Sequence, residues 1–280
     1  MIFKPFQGVF PAATTLAARL ACIVLLGATL LTAGQIAAGQ SRQRQRPAPK
    51  PARPAPDAVV PFRSGEQLSF RVLWSKFAVN AAVLKLSVLE RRNFFGRAAW
   101  HFRAQAQTVE TTRLVYSLDD QFDSYTDAGQ LISLQYEIYL REQGKQKKNI
   151  WRMSSQGSPA PPGATAARVP PGTRDPLGLL YALRAVDWKI APEFRAPVFD
   201  GVHLYEVVAR LGQAAGQVAV PAGTFKASRI DVRVFERGRE MTDTRFALWL
   251  AQDAAHTPVL VEVEAPVPIG TARVELIGRP

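Results

Sequence analysis

Trp100-His-Phe-Arg-Ala-Gln-Ala-Gln107 places an apolar side chain at every second position and a polar one between. Successive side chains of a strand point to opposite faces, so this octapeptide builds one apolar and one wet face. The same period runs outward in both directions. Upstream, Leu68, Phe70, Val72 and Trp74 alternate with Ser69, Arg71, Leu73 and Ser75, and Ala82, Leu84, Leu86 and Val88 with Val83, Lys85, Ser87 and Leu89. Downstream, Ile132, Leu134, Tyr136, Ile138 and Leu140 oppose Leu131, Ser133, Gln135, Glu137 and Tyr139. Antiparallel sheets with one solvated face give this pattern.

The punctuation agrees. Asn93-Phe-Phe-Gly96, Thr126-Asp-Ala-Gly129, Glu142-Gln-Gly144 and Pro221-Ala-Gly-Thr224 stand where hairpin turns belong. Strand patterns resume at 202–211, 216–220, 226–236, 243–251, 258–264 and 270–277. After a Ser/Gly/Pro/Ala-rich insertion at 154–172, one helix is predicted near 175–186. Thr173 or Asp175 would cap it, Pro176 suits its first turn, and Leu177, Leu180, Tyr181 and Leu183 follow at helical spacing. The expectation is an all-β, mainly antiparallel, strongly curved sheet of about ten strands with that helix inserted, as an open barrel or a sandwich.

The ends of the chain read differently. Residues 1–39 combine a basic start (Lys4, Arg19), an apolar run at 20–33 and small residues before Gly39, the grammar of a secretory signal peptide. The run is short for a membrane span, which leaves an uncleaved anchor as the alternative. The lone cysteine, Cys22, precedes most of the apolar run, the wrong place for a lipid-anchor cysteine, and no intramolecular disulfide is possible. Residues 40–61 form a Pro/Ala-rich basic linker, and 62–280 a single β domain. Of the formal net charge of +12, half falls in the first 61 residues. The body lacks a concentrated basic face with interleaved aromatics, so nucleic acid is not an expected partner.

No hydrolase elbow, phosphate loop, dinucleotide fingerprint or His-Glu-x-x-His is present. His101, His203 and His256 are scattered, and the acids Asp119, Asp120, Asp123 and Asp127 lack the alternation of a calcium loop. Neither metal nor cofactor is expected, nor a catalytic set. The strand aromatics Trp74, Trp100, Phe102 and Tyr136 have two readings, the lining of an apolar ligand site or ordinary core.

Several segments taken in order carry a resemblance. They are Phe62-x-x-Gly65-Glu66-x-Leu68-x-Phe70-x-Val72-x-Trp74, Asp120-x-Phe122-x-Ser124, Asp175-Pro-Leu177 with Leu180-Tyr181-x-Leu183-Arg184, Val220-Pro-Ala-Gly223-Thr-Phe225-x-Ala227, and Trp249-Leu-x-x-Asp253 before Pro258-Val259. Over about 62–277 the chain resembles a bacterial family of exported proteins catalogued as domain of unknown function 3108. The long basic linker and the 154–172 insertion depart from a plain member. The resemblance implies a signal-bearing, mainly antiparallel β protein of a Gram-negative-type envelope. It implies no activity, so no catalytic residues carry over. A looser likeness to curved-sheet periplasmic lipoprotein carriers is analogy of fold style.

Three functions follow as expectations. The first is a non-enzymatic periplasmic carrier holding a lipid-like envelope component against Trp74, Trp100, Phe102 and Tyr136, with the 175–186 helix as lid or plug. The second is an envelope scaffold with a solid core, tethered through 40–61. The third is a hydrolase using Asp119, Asp120 and Asp123 brought together by folding. The oligomeric state is open at this level.

Overall fold

The structure is a computed structural model that describes residues 58–74, 79–212, 216–265 and 270–279. The leader at 1–39, Cys22 and the linker as far as residue 57 lie outside the described residues. The N-terminal half contributes β1 (Gln67–Trp74), β2 (Val79–Val88), β3 (Arg92–Phe94), β4 (Arg97–Thr108), a one-turn helix α1 (Glu110–Arg113), β5 (Asp119–Asp127), β6 (Ser133–Glu142), β7 (Lys145–Ser154) and β8 (Thr165–Arg168). Then come α2 (Pro176–Ala185), β9 (Glu193–Phe199), β10 (Leu204–Leu211), β11 (Gly216–Val220), β12 (Gly223–Glu236), β13 (Arg239–Glu240), β14 (Arg245–Ala251), β15 (Pro258–Ala265) and β16 (Gly270–Gly278).

All described strands share one 16-stranded sheet with the path β8-β7-β6-β5-β4-β2-β1-β16-β15-β14-β12-β10-β9. The first and last strands pair in the middle, Val72 opposite Val274, and every ladder is antiparallel except β7–β8. The class is therefore all-β and mainly antiparallel. The count of about ten and the sandwich are corrected: one open sheet holds sixteen strands. The short strands β3, β8 and β13 are too brief for a period of two to show. Asp119–Asp127 is a full strand, although its acids suggested turns and strand ends. Asp120 and Asp123 find partners on the neighbouring strands β6 and β4, which sequence alone does not display.

Alternation sorts the two faces. Consecutive register partners Val88, Phe102, Ser124, Tyr136 and Trp151 form one row on the inner face of β2, β4, β5, β6 and β7. The row beside it on the outer face is Ser87, Arg103, Asp123 and Glu137. The register shifts in β1, β14 and β5 mark bulges, which sharpen local twist and help a long sheet curl.

The two ends of the path, β8 and β9, form no ladder with each other. The segment just after β8 ties β9 back to the start of β6. Arg174 N donates to Pro197 O (3.0 Å) and Phe199 N donates to Arg174 O (2.9 Å), while next to it Ser133 N donates to Thr173 O (3.1 Å). The Arg174 guanidinium donates onward to Gln130 O at 3.0 Å. Side chains complete the seam: the Trp151 ring meets the Phe199 ring edge-on at 6.1 Å. Gly201, at φ +101°, lies against that indole, where a Cβ would be 2.7 Å from Trp151.

Candidate functional site

The inner face and the helix laid over it define the site that the aromatic pattern pointed to. Asp175 caps α2, its Oδ1 accepting Gly178 N at 2.8 Å, and Pro176 occupies the first turn, where a missing N–H costs nothing. Leu177, Leu180, Tyr181 and Leu183 are buried against the sheet. Burying each such side chain stabilises by roughly 1.5–3 kcal/mol.

Trp100, Phe102 and Tyr136 are buried and lie close together on β4 and β6. Phe62 enters between Trp100, Phe102 and the helix, with ring centroids 5.4 Å from Trp100, 5.3 Å from Phe102 and 5.1 Å from Tyr181. Phe102 and Tyr181 stack at 3.8 Å. The chain's own Phe62 and Tyr181 rings thus lie against Trp100 and Phe102. Trp74 does not join the group. It is half-buried opposite Val79 and Ala272, while Phe102 pairs with Val88, so about 30 Å of strand separates them.

Each end of the helix carries a polar lock. At the N-terminal end, fully buried Asp175 accepts from Ser124 Oγ and Ser133 Oγ, both at 2.5 Å, and Ser133 Oγ also accepts Asp175 N at 2.7 Å. Burial pushes the Asp175 carboxyl up, and these hydrogen bonds only partly offset it. At the other end fully buried Arg184 donates twice to Glu66 (2.6 and 2.9 Å) and once to Ala255 O (3.0 Å). Its guanidinium lies 5.4 Å from the Phe62 centroid and 5.2 Å from that of Tyr181. Gly178 is the point of closest approach, since a Cβ there would be 2.8 Å from Ser133 Oγ.

The outer face holds a second polar assembly. His101 Nε2 lies 2.6 Å from Asp123 Oδ1, which also accepts Arg103 Nε at 2.8 Å, and Gln121 Nε2 donates to Oδ2 at 2.6 Å. Burial pushes the Asp123 carboxyl up, but these three donors outweigh it and hold it below the ordinary range. Arg92 faces His101 Nδ1 at 3.4 Å and donates to Tyr125 Oη at 3.1 Å, which assigns the N–H to Nε2. Both ring nitrogens are engaged, and no serine or cysteine accompanies them in these contacts. The arrangement holds the buried Asp123 carboxylate among three donors.

The three acids of the hydrolase expectation are not gathered. Asp119 pairs with Arg113 and Asp123 with His101 and Arg103. Asp120 lies on the opposite face, where its Oδ1 accepts Arg141 N at 2.9 Å. Asp127 does serve a turn, accepting Gly129 N and Gln130 N at 3.0 and 2.9 Å. Among the described residues, no three His, Cys, Asp or Glu side chains group as a metal site requires. No described helix is long and apolar enough to cross a membrane. The sequence reading missed the partners Phe62, Glu66 and Arg184 as a packed unit, although all three stood in the segments that carried the family resemblance.

A search of curated proteins finds no match. Among solved structures, the chain is similar to a β-barrel-like protein of domain of unknown function DUF1849 from Brucella abortus, at 10% identity and TM-score 0.43, covering 80% of this chain and 98% of that one. It is also similar to a candidate lipoprotein from Parabacteroides distasonis, at 10% identity and TM-score 0.38 over 80% and 100% of the two chains. A third, an exported-protein candidate with a YmcC-like fold from Bacteroides fragilis, is 8% identical with TM-score 0.31 over 80% and 99%. The family described as protein of unknown function DUF3108 matches residues 69–277, and the chain belongs to that family.

Proposed function

We propose that this protein is a non-catalytic module of the bacterial envelope, exported by its leader, that works through its outer surface around a solid core. The observation that carries the reading is the Phe62 ring. It fills the space between Trp100, Phe102 and Tyr181, and Phe102 is already stacked on Tyr181. Support for export comes from the leader pattern and from the solved structures described as lipoprotein or exported-protein candidates.

A carrier for an apolar envelope component is the second reading. The observation favouring it is that the aromatic surface is covered by one short helix held by a polar lock at each end. Releasing both locks would expose Trp100, Phe102 and Tyr136 together. Native mass spectrometry of the exported protein, purified gently from its own host, separates the two readings. The bare chain mass is expected; a stoichiometric adduct of lipid mass would overturn the solid-core reading in favour of the carrier.

A further inference from the structure

Leu114 and Val115 are 90% and 61% exposed, consecutive large apolar side chains presented to solvent just after α1. Nothing in their own segment requires that exposure, and the segment is not loose. Gln143 N donates to Ser117 O (3.0 Å) and Gln143 Nε2 to Val115 O (3.1 Å). Tyr116 Oη donates to Glu142 Oε2 at 2.9 Å. These bonds tie the loop to the turn between β6 and β7, so the two apolar side chains and that hairpin share one tip of the molecule.

The hairpin is basic. All four of its cations are exposed and flank the tip from both sides, Arg141 and Lys148 on the outer side and Lys145 and Lys147 on the other. Several arginines of the outer face are ion-paired: Arg71 and Arg273 with Glu275, Arg273 also with Glu262, Arg103 with Asp123 and Arg233 with Glu240. Among the described residues the four hairpin cations make no ion pair. Of the acids beside them, Asp119 is neutralised by Arg113 and Glu142 accepts the Tyr116 hydroxyl. Beneath the hairpin a cleft of about 640 Å³ is lined by Gln105, Gln107, Gln121, Tyr139, Arg141 and Lys148 among others.

We propose that this tip docks on an anionic phospholipid surface, with Leu114 and Val115 entering the interface and Arg141, Lys145, Lys147 and Lys148 held at the headgroups. Exposed apolar residues flanked by cations suit an interface that offers both hydrocarbon and negative charge. A soluble anionic glycan would satisfy the lysines and the glutamine amides of the cleft but would leave Leu114 and Val115 in water. The inference deepens the envelope reading and rests on it for where such a surface is met.

The test is vesicle co-sedimentation of the exported full chain as purified. Phosphatidylglycerol–phosphatidylethanolamine vesicles are compared with phosphatidylcholine vesicles. Wild type is compared with Leu114→Ser/Val115→Ser and with Lys145→Glu/Lys147→Glu/Lys148→Glu. Binding to the anionic vesicles is expected, and each variant is expected to lower partitioning by about tenfold or more at unchanged melting temperature, the lysine variant most at low salt. Equal partitioning of wild type and both variants would overturn the proposal, since any affinity would then reside outside the tip. So would equal binding to phosphatidylcholine. Binding of soluble polyphosphate or dextran sulfate without vesicle binding would reassign the cations to a glycan or phosphate site. Failure of export is read separately, from the protein's location in the host, and leaves the vesicle result standing.

Discussion

At Asp123 the residue scale shows charge and burial in balance. Its carboxyl is 1% exposed and is held ionised by His101, Arg103 and Gln121. Because its folded value lies below the ordinary one, the ionised form stabilises the fold above about pH 3.9, and that contribution is lost as pH falls further. Asp123→Asn should cost about 2 kcal/mol at pH 7, with the deficit narrowing below pH ~4, as read by urea denaturation at pH 7 and pH 3. Asp175 has the opposite sign. Its folded value is raised by burial, so the cost of ionising it is complete above that value and disappears as pH falls towards the ordinary carboxylate range. Asp175→Asn keeps a capping oxygen and should lose far less than Asp175→Ala, which also removes the carboxylate that both serine hydroxyls donate to and should cost at least ~2 kcal/mol in thermal or urea melts. Gly178→Ala tests the close approach. Helix propensity alone would stabilise by ~1 kcal/mol, but a Cβ 2.8 Å from Ser133 Oγ reverses the sign. The cap at Asp175 was among the two candidates legible in the sequence. Its serine partners were not, because they come from β5 and β6, some forty to fifty residues away.

Among the elements, α2 is the one whose sequence and packing speak to the same end. Apolar residues at 177, 180, 181 and 183 announced a helix, and the helix occupies Pro176–Ala185. What its pattern does not announce is Arg184 at 0% exposure on a helix facing core. A buried guanidinium is tolerable only with partners, and Glu66 supplies two hydrogen bonds from 118 residues away. Removing Glu66 alone should cost about 3–5 kcal/mol by leaving that charge uncompensated, whereas Glu66→Leu/Arg184→Met should recover most of the loss in a double-mutant cycle of denaturation midpoints. The sheet edges show the same division. Within the Ser/Gly/Pro/Ala-rich insertion at 154–172, Thr165–Arg168 pairs in parallel with β7. A four-residue strand needs its neighbour to exist, and no periodicity can reveal it. Its flanking prolines, Pro161, Pro162, Pro170 and Pro171, and Pro197 in β9 withhold donors and blunt both edges against further pairing.

For the molecule as a whole, the β9 end of the open sheet is tied back to the β6–β7 region through the segment at Thr173 and Arg174. Thr173 and Arg174 join the start of β6 and the turn before it to β9, and Trp151 with Phe199 and Gly201 packs the remaining seam. Gly201→Val, which demands both an uncommon φ and space held by the Trp151 ring, should open this seam, seen as faster amide exchange in β9 and increased light scattering from exposed edges. The strand period, the apolar inner face, the helix and the family likeness were determined by the sequence, because side-chain alternation and capping act over a few neighbouring residues. Tertiary structure alone decided that the strands form one sheet of sixteen rather than two packed layers. It also decided that Phe62 fills the aromatic surface, that Trp74 stands apart from it, and that Leu114 shares a tip with Lys145–Lys148. Each of those depends on strand order and register between distant segments, set by which inner rows pack and which charges find partners once the chain has closed on itself.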